Sequence, residues 1–206
     1  MTAKIKLNAA SGGGSFSLQA PSSSANNRVM TLPDSADGTI LTTTNPKAGN
    51  IIQVVSTTKS DTFSTSSSSF TDITGLSVAI TPTSSSSKVL VTAVVQYSTA
   101  GSGGSRQAGR ILRSHAGGTS ARAVGDSNGN RIQSSFGSET SGGGGNMKSA
   151  TITFLDSPAR SDEVTYKVQA AAVDGNNFQL NTTVSDSNIA SYPRVASHIT
   201  VMEVAA

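Results

Sequence analysis

Apolar and polar residues alternate along much of the chain, and this pattern predicts β-strands. In residues 88–97 one face is half apolar and the other wholly apolar, the latter consisting of Val89, Val91, Ala93, Val95 and Tyr97. Because both faces carry apolar residues, we expect this strand to be central, with protein covering both sides. Residues 76–80 are predicted to be its antiparallel neighbour, joined to it through the turn at Thr81-Pro82.

Further short strands are predicted, and no segment shows a helical period. They comprise residues 51–55, 107–113, 120–124, 131–136, 149–155, 164–173, 178–184 and 197–204. Residues 126–129 and 174–177 have the composition of hairpin turns, whereas the polar residues 56–69 favour a loop or an exposed edge. About nine or ten strands at this spacing predict an all-β fold, a jelly-roll-like antiparallel β-sandwich.

Residues 1–48 follow a different pattern and are predicted to form an extended N-terminal arm ahead of a head domain at residues 49–206. The arm begins with a strand-like piece at residues 4–8 and a flexible spacer at residues 11–15. Its remainder mixes strand-forming residues with a proline and an Asp-Gly turn. Such a segment cannot bury a core of its own, so we expect it to dock on another chain or surface through Leu18, Val29, Leu32, Ile40 and Leu41.

Composition indicates a thin core. Ser, Thr and Gly occupy 80 of the 206 positions, whereas Leu, Ile, Val and Phe together occupy 42. A chain that buries so little apolar area alone gains by burying more against other copies, so we expect it to form oligomers. The chain has no cysteine, which excludes disulfides and thiolate metal sites. Its first residues lack the apolar region of a signal peptide, and no apolar run is long enough for a membrane helix. We therefore expect synthesis in a cytoplasm, no membrane insertion, and release by a route such as lysis.

Two motifs suggest chemistry, but their context opposes it. Residues 125–129 match the G-x-S-x-G nucleophile pattern with Ser127 at its centre, yet a strand-like segment follows where a helix is required. The same region imitates the start of a calcium loop, but Arg131 stands where glycine is needed and Gly137 where glutamate is needed. With few carboxylates elsewhere, we expect no catalytic, metal or cofactor site. Both His115 and His198 are expected to be structural.

Positive charge is concentrated in one window, which carries five arginines against a single aspartate: Arg106, Arg110, Arg113, Arg122 and Arg131. These guanidinium groups could hold sugar phosphates, lipopolysaccharide or an acidic protein at the surface. The interpretation we favour is that they flank strands and pair with carboxylates across a subunit interface. Nucleic acid is not an expected partner, because the window has no aromatic residue on which bases could stack.

Residues 18–41, LQAPSSSANNRVMTLPDSADGTIL, resemble an N-terminal element that recurs in structural proteins of marine tailed bacteriophages, often described as tail fibres. The resemblance continues through the head in GNIIQVVSTT, ITPTSSSSKVLV, VGDSNGNRIQ, TFLDSPARSDEVTYKVQA and SYPRVASHITVMEV. It spans nearly the whole chain, and each of its motifs is structural.

The resemblance implies a virion protein, a homotrimer with a jelly-roll-like head, whose arm attaches to its own partners or to other virion proteins of the tail or capsid. A short tail fibre or appendage of this kind would adhere to a glycan or protein of the host surface. The chain has no repetitive shaft between arm and head. A capsid decoration (cement) protein or a head fibre is therefore the rival interpretation. A virion-borne glycan hydrolase is a remote third.

Overall fold

The computed structural model describes residues 4–19, 22–23, 25, 46–99, 105–140 and 147–206. Throughout these ranges the regular elements are β-strands, all paired in antiparallel fashion, which confirms the all-β prediction. The chain divides into two units, Met1–Ile40 and Leu41–Ala206.

The first unit contains a hairpin of β1 (Lys4–Asn8) and β2 (Ser15–Gln19). Its register runs from Lys4 opposite Gln19 to Asn8 opposite Ser15. The turn is made by Gly12 and Gly13, whose φ angles of 82° and 70° are accessible mainly to glycine. The strand predicted at residues 4–8 is confirmed, but the predicted spacer is the turn of this hairpin, and β2 was not predicted.

The described part of the second unit contains eleven strands. Residues 100–104 and 141–146 of this unit lie outside the described ranges. The strands are β3 (Ile51–Lys59), β4 (Phe63–Thr65), β5 (Thr71–Ile80), β6 (Lys88–Thr99), β7 (Ser105–His115), β8 (Gly118–Arg122), β9 (Phe136–Thr140), β10 (Lys148–Asp156), β11 (Val164–Ala172), β12 (Phe178–Leu180) and β13 (Ser197–Val204).

These strands form two sheets. In the first sheet β3 pairs with β13, and β4 pairs with β12. Both β12 and β13 pair with one side of β6, and β10 pairs with its other side. In the second sheet β5 pairs with β11, β11 with β7, and β7 with both β8 and β9. Since β8 and β9 occupy successive parts of the same side of β7, they count as one strand position. Likewise, β12 and β13 share one side of β6 and count as one strand position, and their partners β4 and β3 count as another.

Counted this way, the head has eight strand positions, and early positions pair with late ones in nested order. The first pairs with the last (β3/β4 with β12/β13), the second with the seventh (β5 with β11), the third with the sixth (β6 with β10) and the fourth with the fifth (β7 with β8/β9). This wrapped order is that of a jelly roll, so the predicted fold is confirmed.

The core lies between the inward faces of the sheets. The apolar face predicted for residues 88–97 is buried, with Val89, Val91, Ala93 and Val95 at zero exposure. Facing residues come from β11 and β7, among them Val168 and Ile111. At one end Tyr97 stacks on Phe178 and contacts Phe136, with ring centroids 5.4 Å apart in both pairs.

Gly109 of β7 makes room for one of these rings. It lies opposite Phe136 in the register, and a Cβ atom added at Gly109 would overlap the Phe136 ring. Glycine is required at this position for packing, because the aromatic side chain of the neighbouring strand lies directly over its backbone.

Strand pairing corrects several predictions. β5 is not the neighbour of β6, because residues 81–87 cross from the second sheet to the first and β5 pairs with β11. Residues 174–177 also cross between sheets, since β11 and β12 belong to different ones. Residues 123–135 form a connecting loop between β8 and β9, so the hairpin predicted at residues 126–129 and the strand predicted at residues 131–136 are wrong.

Candidate interaction surfaces

The N-terminal hairpin carries apolar side chains on one of its faces. Ile5 lies directly opposite Leu18, and Leu7 follows Ile5 on the same side of β1. The side chains of Ile5, Leu7 and Leu18 are 64%, 58% and 37% exposed, respectively. A two-stranded hairpin is at best marginally stable in water. This hairpin therefore has the chemistry of a docking element that is completed by another surface.

Of the five predicted docking residues, only Leu18 belongs to the described part of the chain. Val29, Leu32, Ile40 and Leu41 lie outside it. Sequence reasoning missed Ile5 and Leu7 as docking residues, although the alternation in KIKLN already places both on one face.

The arginine window does not form one patch. Arg106, on β7, pairs with Glu139 at 3.0 Å, and both side chains are more than half exposed. Arg110 donates from Nε to Gln169 at 2.8 Å, and its guanidinium lies 4.1 Å from the centroid of the Phe70 ring. Arg131 is exposed on the loop between β8 and β9. Arg106 and Arg131 are thus the more accessible members of the window.

The other two arginines converge on a buried carboxylate. Arg113 donates from Nη1 to Asp156 Oδ2 at 2.8 Å, and Arg122 Nε lies 3.4 Å from Asp156 Oδ1. The hydroxyl of Tyr166 also donates to Asp156 Oδ2, at 2.7 Å. Since Asp156 comes from the first sheet and the other three from the second, this cluster ties the two sheets together. The sequence predicts that these arginines pair with carboxylates across a subunit interface, whereas Arg113 and Arg122 pair with a carboxylate of their own chain.

The same geometry argues against acid–base chemistry at Asp156. Burial, and then the hydrogen bond to Asp156, raise the pKa of Tyr166 well above its usual range, so its hydroxyl stays a donor. The carboxylate is 7% exposed, accepts hydrogen bonds from Arg113 and Tyr166, and lies beside the guanidinium of Arg122. A group so enclosed has a structural role as a link between sheets.

A second buried carboxylate, Glu203, lies on the other side of β6 at the same level, because Asp156 and Glu203 are both register partners of Val89. Glu203 has zero exposure and accepts hydrogen bonds from Gln53 Nε2 at 2.6 Å and from Thr83 N and Oγ1, both at 2.7 Å. Burial acts to raise the pKa of Glu203, but hydrogen bonds from Gln53, Thr83 and Ser87 outweigh it and lower that pKa. Glu203 thereby anchors the connection between β5 and β6. Ser87 is itself buried, although the serine run 84–87 has the composition of an exposed turn.

The region of the G-x-S-x-G motif has no strand-to-helix turn. Ser127 is exposed within the loop 123–135, and the next regular element is β9. No group of three or more His, Asp or Glu side chains in the described ranges is arranged to hold a metal ion. Within those ranges there is also no helix long and apolar enough to cross a membrane.

The described residues thus comprise a jelly-roll head and an N-terminal hairpin with an exposed apolar face. No protein-family model and no curated protein matches the chain. Solved structures with partial likeness include that of infectious bursal disease virus Gt strain, at 13% identity and a TM-score of 0.35, covering 94% of this chain and 48% of that one. The VP2 subviral particle of the same virus gives 13% identity and a TM-score of 0.36, covering 92% and 50%. The chain thus spans about half the length of these structures. Likeness at this TM-score carries no argument, so the fold assignment depends on the strand order alone.

Proposed function

We propose that this protein is a structural component of a bacteriophage virion. In this proposal the N-terminal hairpin and the rest of the arm attach to the particle or to partner copies, and the jelly-roll head contacts the host surface. The observation that carries the proposal is the hairpin face of Ile5, Leu7 and Leu18, which is apolar, exposed and too small to be stable alone.

Two further facts support this function. Jelly rolls occur in viral capsid proteins, but also in lectins and cupins, so the fold admits the proposal without deciding it. The sequence resemblance to phage structural proteins covers the arm as well as most head strands. We propose a short trimeric tail fibre or appendage, made in the host cytoplasm and released by lysis, with a host glycan or protein as its target.

A capsid decoration protein is the second candidate. It is favoured by the absence of a repetitive shaft in the sequence between the arm and β3, which would limit the reach of a fibre. Copy number separates the two functions: quantitative mass spectrometry of purified virions should give a few dozen copies or fewer for an appendage. Hundreds of copies per particle would exclude the appendage and support decoration.

The docking role of the hairpin is tested by charge substitution within the full chain. Leu18→Lys places a charge on the apolar face of β2, whereas Ser17→Lys places the same charge on the opposite face of the same strand. We expect Leu18→Lys to lower incorporation into virions at least tenfold and Ser17→Lys to leave it unchanged. Deletion of residues 1–46 should also abolish incorporation while the head stays folded. Equal incorporation of all variants would refute the docking role.

We propose that the role of the chain is structural and involves no catalysis. The corresponding test is hydrolysis of host polysaccharide by the purified protein. Turnover that disappears in Ser127→Ala, with folding unchanged by circular dichroism, would overturn this proposal and support the glycan hydrolase instead. Asp156→Ala is a poorer probe, because Asp156 is part of the buried link between sheets.

A further inference from the structure

The outward face of the first sheet carries side chains in regular rows, each crossing all four strand positions. One row consists of Leu155, Leu90, Met202 and Val54, which are consecutive partners in the registers of β10, β6, β13 and β3. The next row along the strands consists of Thr153, Thr92, Thr200 and Ser56. These rows face outward, because the alternating residues Val89, Val91 and Val201 fill the core. The face therefore presents an apolar row beside a row of hydroxyl groups.

The hydroxyl row is already hydrogen-bonded within the sheet. Ser56 and Thr200 approach to 2.8 Å, and Thr92 and Thr153 to 3.3 Å. Hydroxyl pairs of this kind across strands lower the cost of covering the row, since part of their hydrogen-bonding capacity is satisfied before any partner arrives. The row can thus be covered by another protein without stranding polar groups.

Exposure marks the apolar row as unusual. Val54 is 57% exposed and Leu155 is 51% exposed, on the two edge strands, and Ile51 near the end of the same face is 48% exposed. Single exposed apolar residues are common, but a continuous row across a sheet indicates an interaction surface.

Charge distinguishes this face from the outward face of the second sheet. The two rows contain no Asp, Glu, Lys or Arg; of the rows that flank them, one adds His198 and the other adds the exposed Lys88. On the second sheet, by contrast, Lys167 pairs with Asp72 at 2.6 Å, and Gln169 links Asp72 to Arg110. The second sheet therefore has the polar, charged exterior typical of a solvated surface, and the first sheet does not.

We infer that the outward face of the first sheet, defined by these two rows, is the surface through which copies of this chain pack against one another. An acidic partner would find a single lysine, Lys88, beside the two rows, and the rows themselves carry no aromatic platform for a sugar or a base. A second copy has matching chemistry, because two uncharged faces meet without like-charge repulsion. This inference rests on the self-association included in the proposed function and names its surface.

The area of the face is sufficient for packing against a second copy of this chain. Taken over the whole outward face, four strand positions at about 4.8 Å and the nine residues of β6 from Lys88 to Gln96 at about 3.4 Å give roughly 600 Å² per copy. Two copies would bury about 1,200 Å² in total, the lower end of what specific interfaces bury.

Charge substitutions within the full-length protein test the surface directly. Val54→Lys and Leu155→Lys alter the face, and Ala79→Lys is the matched control on an exposed outward position of the second sheet. Mass should be measured by light scattering and sedimentation over a hundredfold range of concentration. We expect an oligomer for the unaltered chain and the control, and a dissociation constant raised at least tenfold in each face variant. The milder Val54→Thr and Leu155→Thr replace either variant that fails to fold, as judged by circular dichroism.

Thiol accessibility provides a second readout, since the chain contains no cysteine. A single Thr200→Cys thiol should react with a maleimide at least fivefold more slowly in the oligomer than in the Val54→Lys background, whereas Ala79→Cys should react equally in both. A monomeric unaltered chain would overturn self-association altogether. An oligomer that persists in every face variant would overturn this surface alone. Neither result decides virion incorporation, which the Leu18→Lys test measures separately.

Discussion

Two Arg–Asp pairs of nearly equal length predict very different costs when broken. Arg113 and Asp156 are 2.8 Å apart with side chains 10% and 7% exposed, whereas Arg160 and Asp162 are 2.6 Å apart in an open setting. Removal of the charge by Asp156→Asn leaves the guanidinium of Arg113 buried without its counter-ion. Breaking one partner of a buried pair typically costs about 3–5 kcal/mol. That loss is a large share of the stability of a domain, which is about 5–15 kcal/mol.

The matched variant is Asp162→Asn, which removes a carboxylate from the exposed pair. Exposed ion pairs contribute little because water screens them, so we expect no measurable change in the free energy of unfolding. Both variants should be compared with the unaltered chain by equilibrium urea denaturation, with the slope of the transition held to a common value. A loss below about 1 kcal/mol for Asp156→Asn would refute the argument that this cluster ties the sheets together.

Tyr166→Phe examines the same cluster through its neutral donor. The hydroxyl of Tyr166 is fully buried and donates to a carboxylate, a bond whose removal costs about 1.5–3 kcal/mol. Its raised pKa adds a signature in pH. Because the pKa is higher in the folded than in the unfolded state, this contribution is complete below the unfolded value of 10.0 and falls as pH rises above it. Tyr166→Phe should therefore lose less stability than the unaltered chain between about pH 9 and 11.

Three other substitutions have defined outcomes. Asn181→Ala should cost about 2–4 kcal/mol in urea denaturation, because the buried Asn181 amide donates to two backbone carbonyls and adopts a φ of 60° that alanine disfavours; a smaller loss than for an exposed asparagine would contradict this. Gly109→Ala should cost about 1–3 kcal/mol by overlap with the Phe136 ring, and Phe136→Leu in the same chain should recover part of the loss in thermal melts. Because the pKa of Glu203 is lowered from its ordinary value of 4.5 in the folded state, its contribution to stability is present above pH 4.5 and is lost as the pH falls below it. The stability of Glu203→Gln should therefore decrease less steeply than that of the unaltered chain below pH 4.5. If stability fell equally with decreasing pH in Glu203→Gln and in the unaltered chain, the stabilising role of the Glu203 carboxylate would be contradicted.

Sequence patterns predicted strands well where one face is buried and the other is not. Residues 197–204 form β13 with the predicted bounds, and residues 88–97 form most of β6, because alternation is set by each strand's own two faces. Pairing partners were predicted poorly. β5 ends only eight residues before β6 begins, a spacing that favours a hairpin, yet the jelly roll places them in different sheets. Which strand lies beside another depends on contacts far apart in sequence, and local turn composition carries little information about them.

The candidate sites divide along the same line. The hairpin face is partly predictable from the sequence, because residues 4–8 have the pattern of a strand and Leu18 is one of the apolar residues expected to dock. By contrast, Arg113 and Asp156 are 43 residues apart and meet only because β7 and β10 lie in facing sheets. Nothing in the local sequence around either residue distinguishes a buried ion pair from an exposed one. The arginine window therefore has the sequence pattern of a surface patch, although Arg113 and Arg122 lie against a buried carboxylate.

The distribution of large apolar residues is the strongest argument for assembly. With only 42 Leu, Ile, Val and Phe residues in 206, the chain has few to place, and its core is already filled by the inward faces of the two sheets. Leu155, Leu90 and Val54 nonetheless lie outward in one row with Met202, where they add nothing to the interior. Threonine at these positions would suit an exposed strand equally well, as the adjacent row demonstrates. Apolar residues at these positions gain free energy only when another surface covers them, and the lack of charge in this row and in the hydroxyl row beside it makes a second copy of this chain the best match.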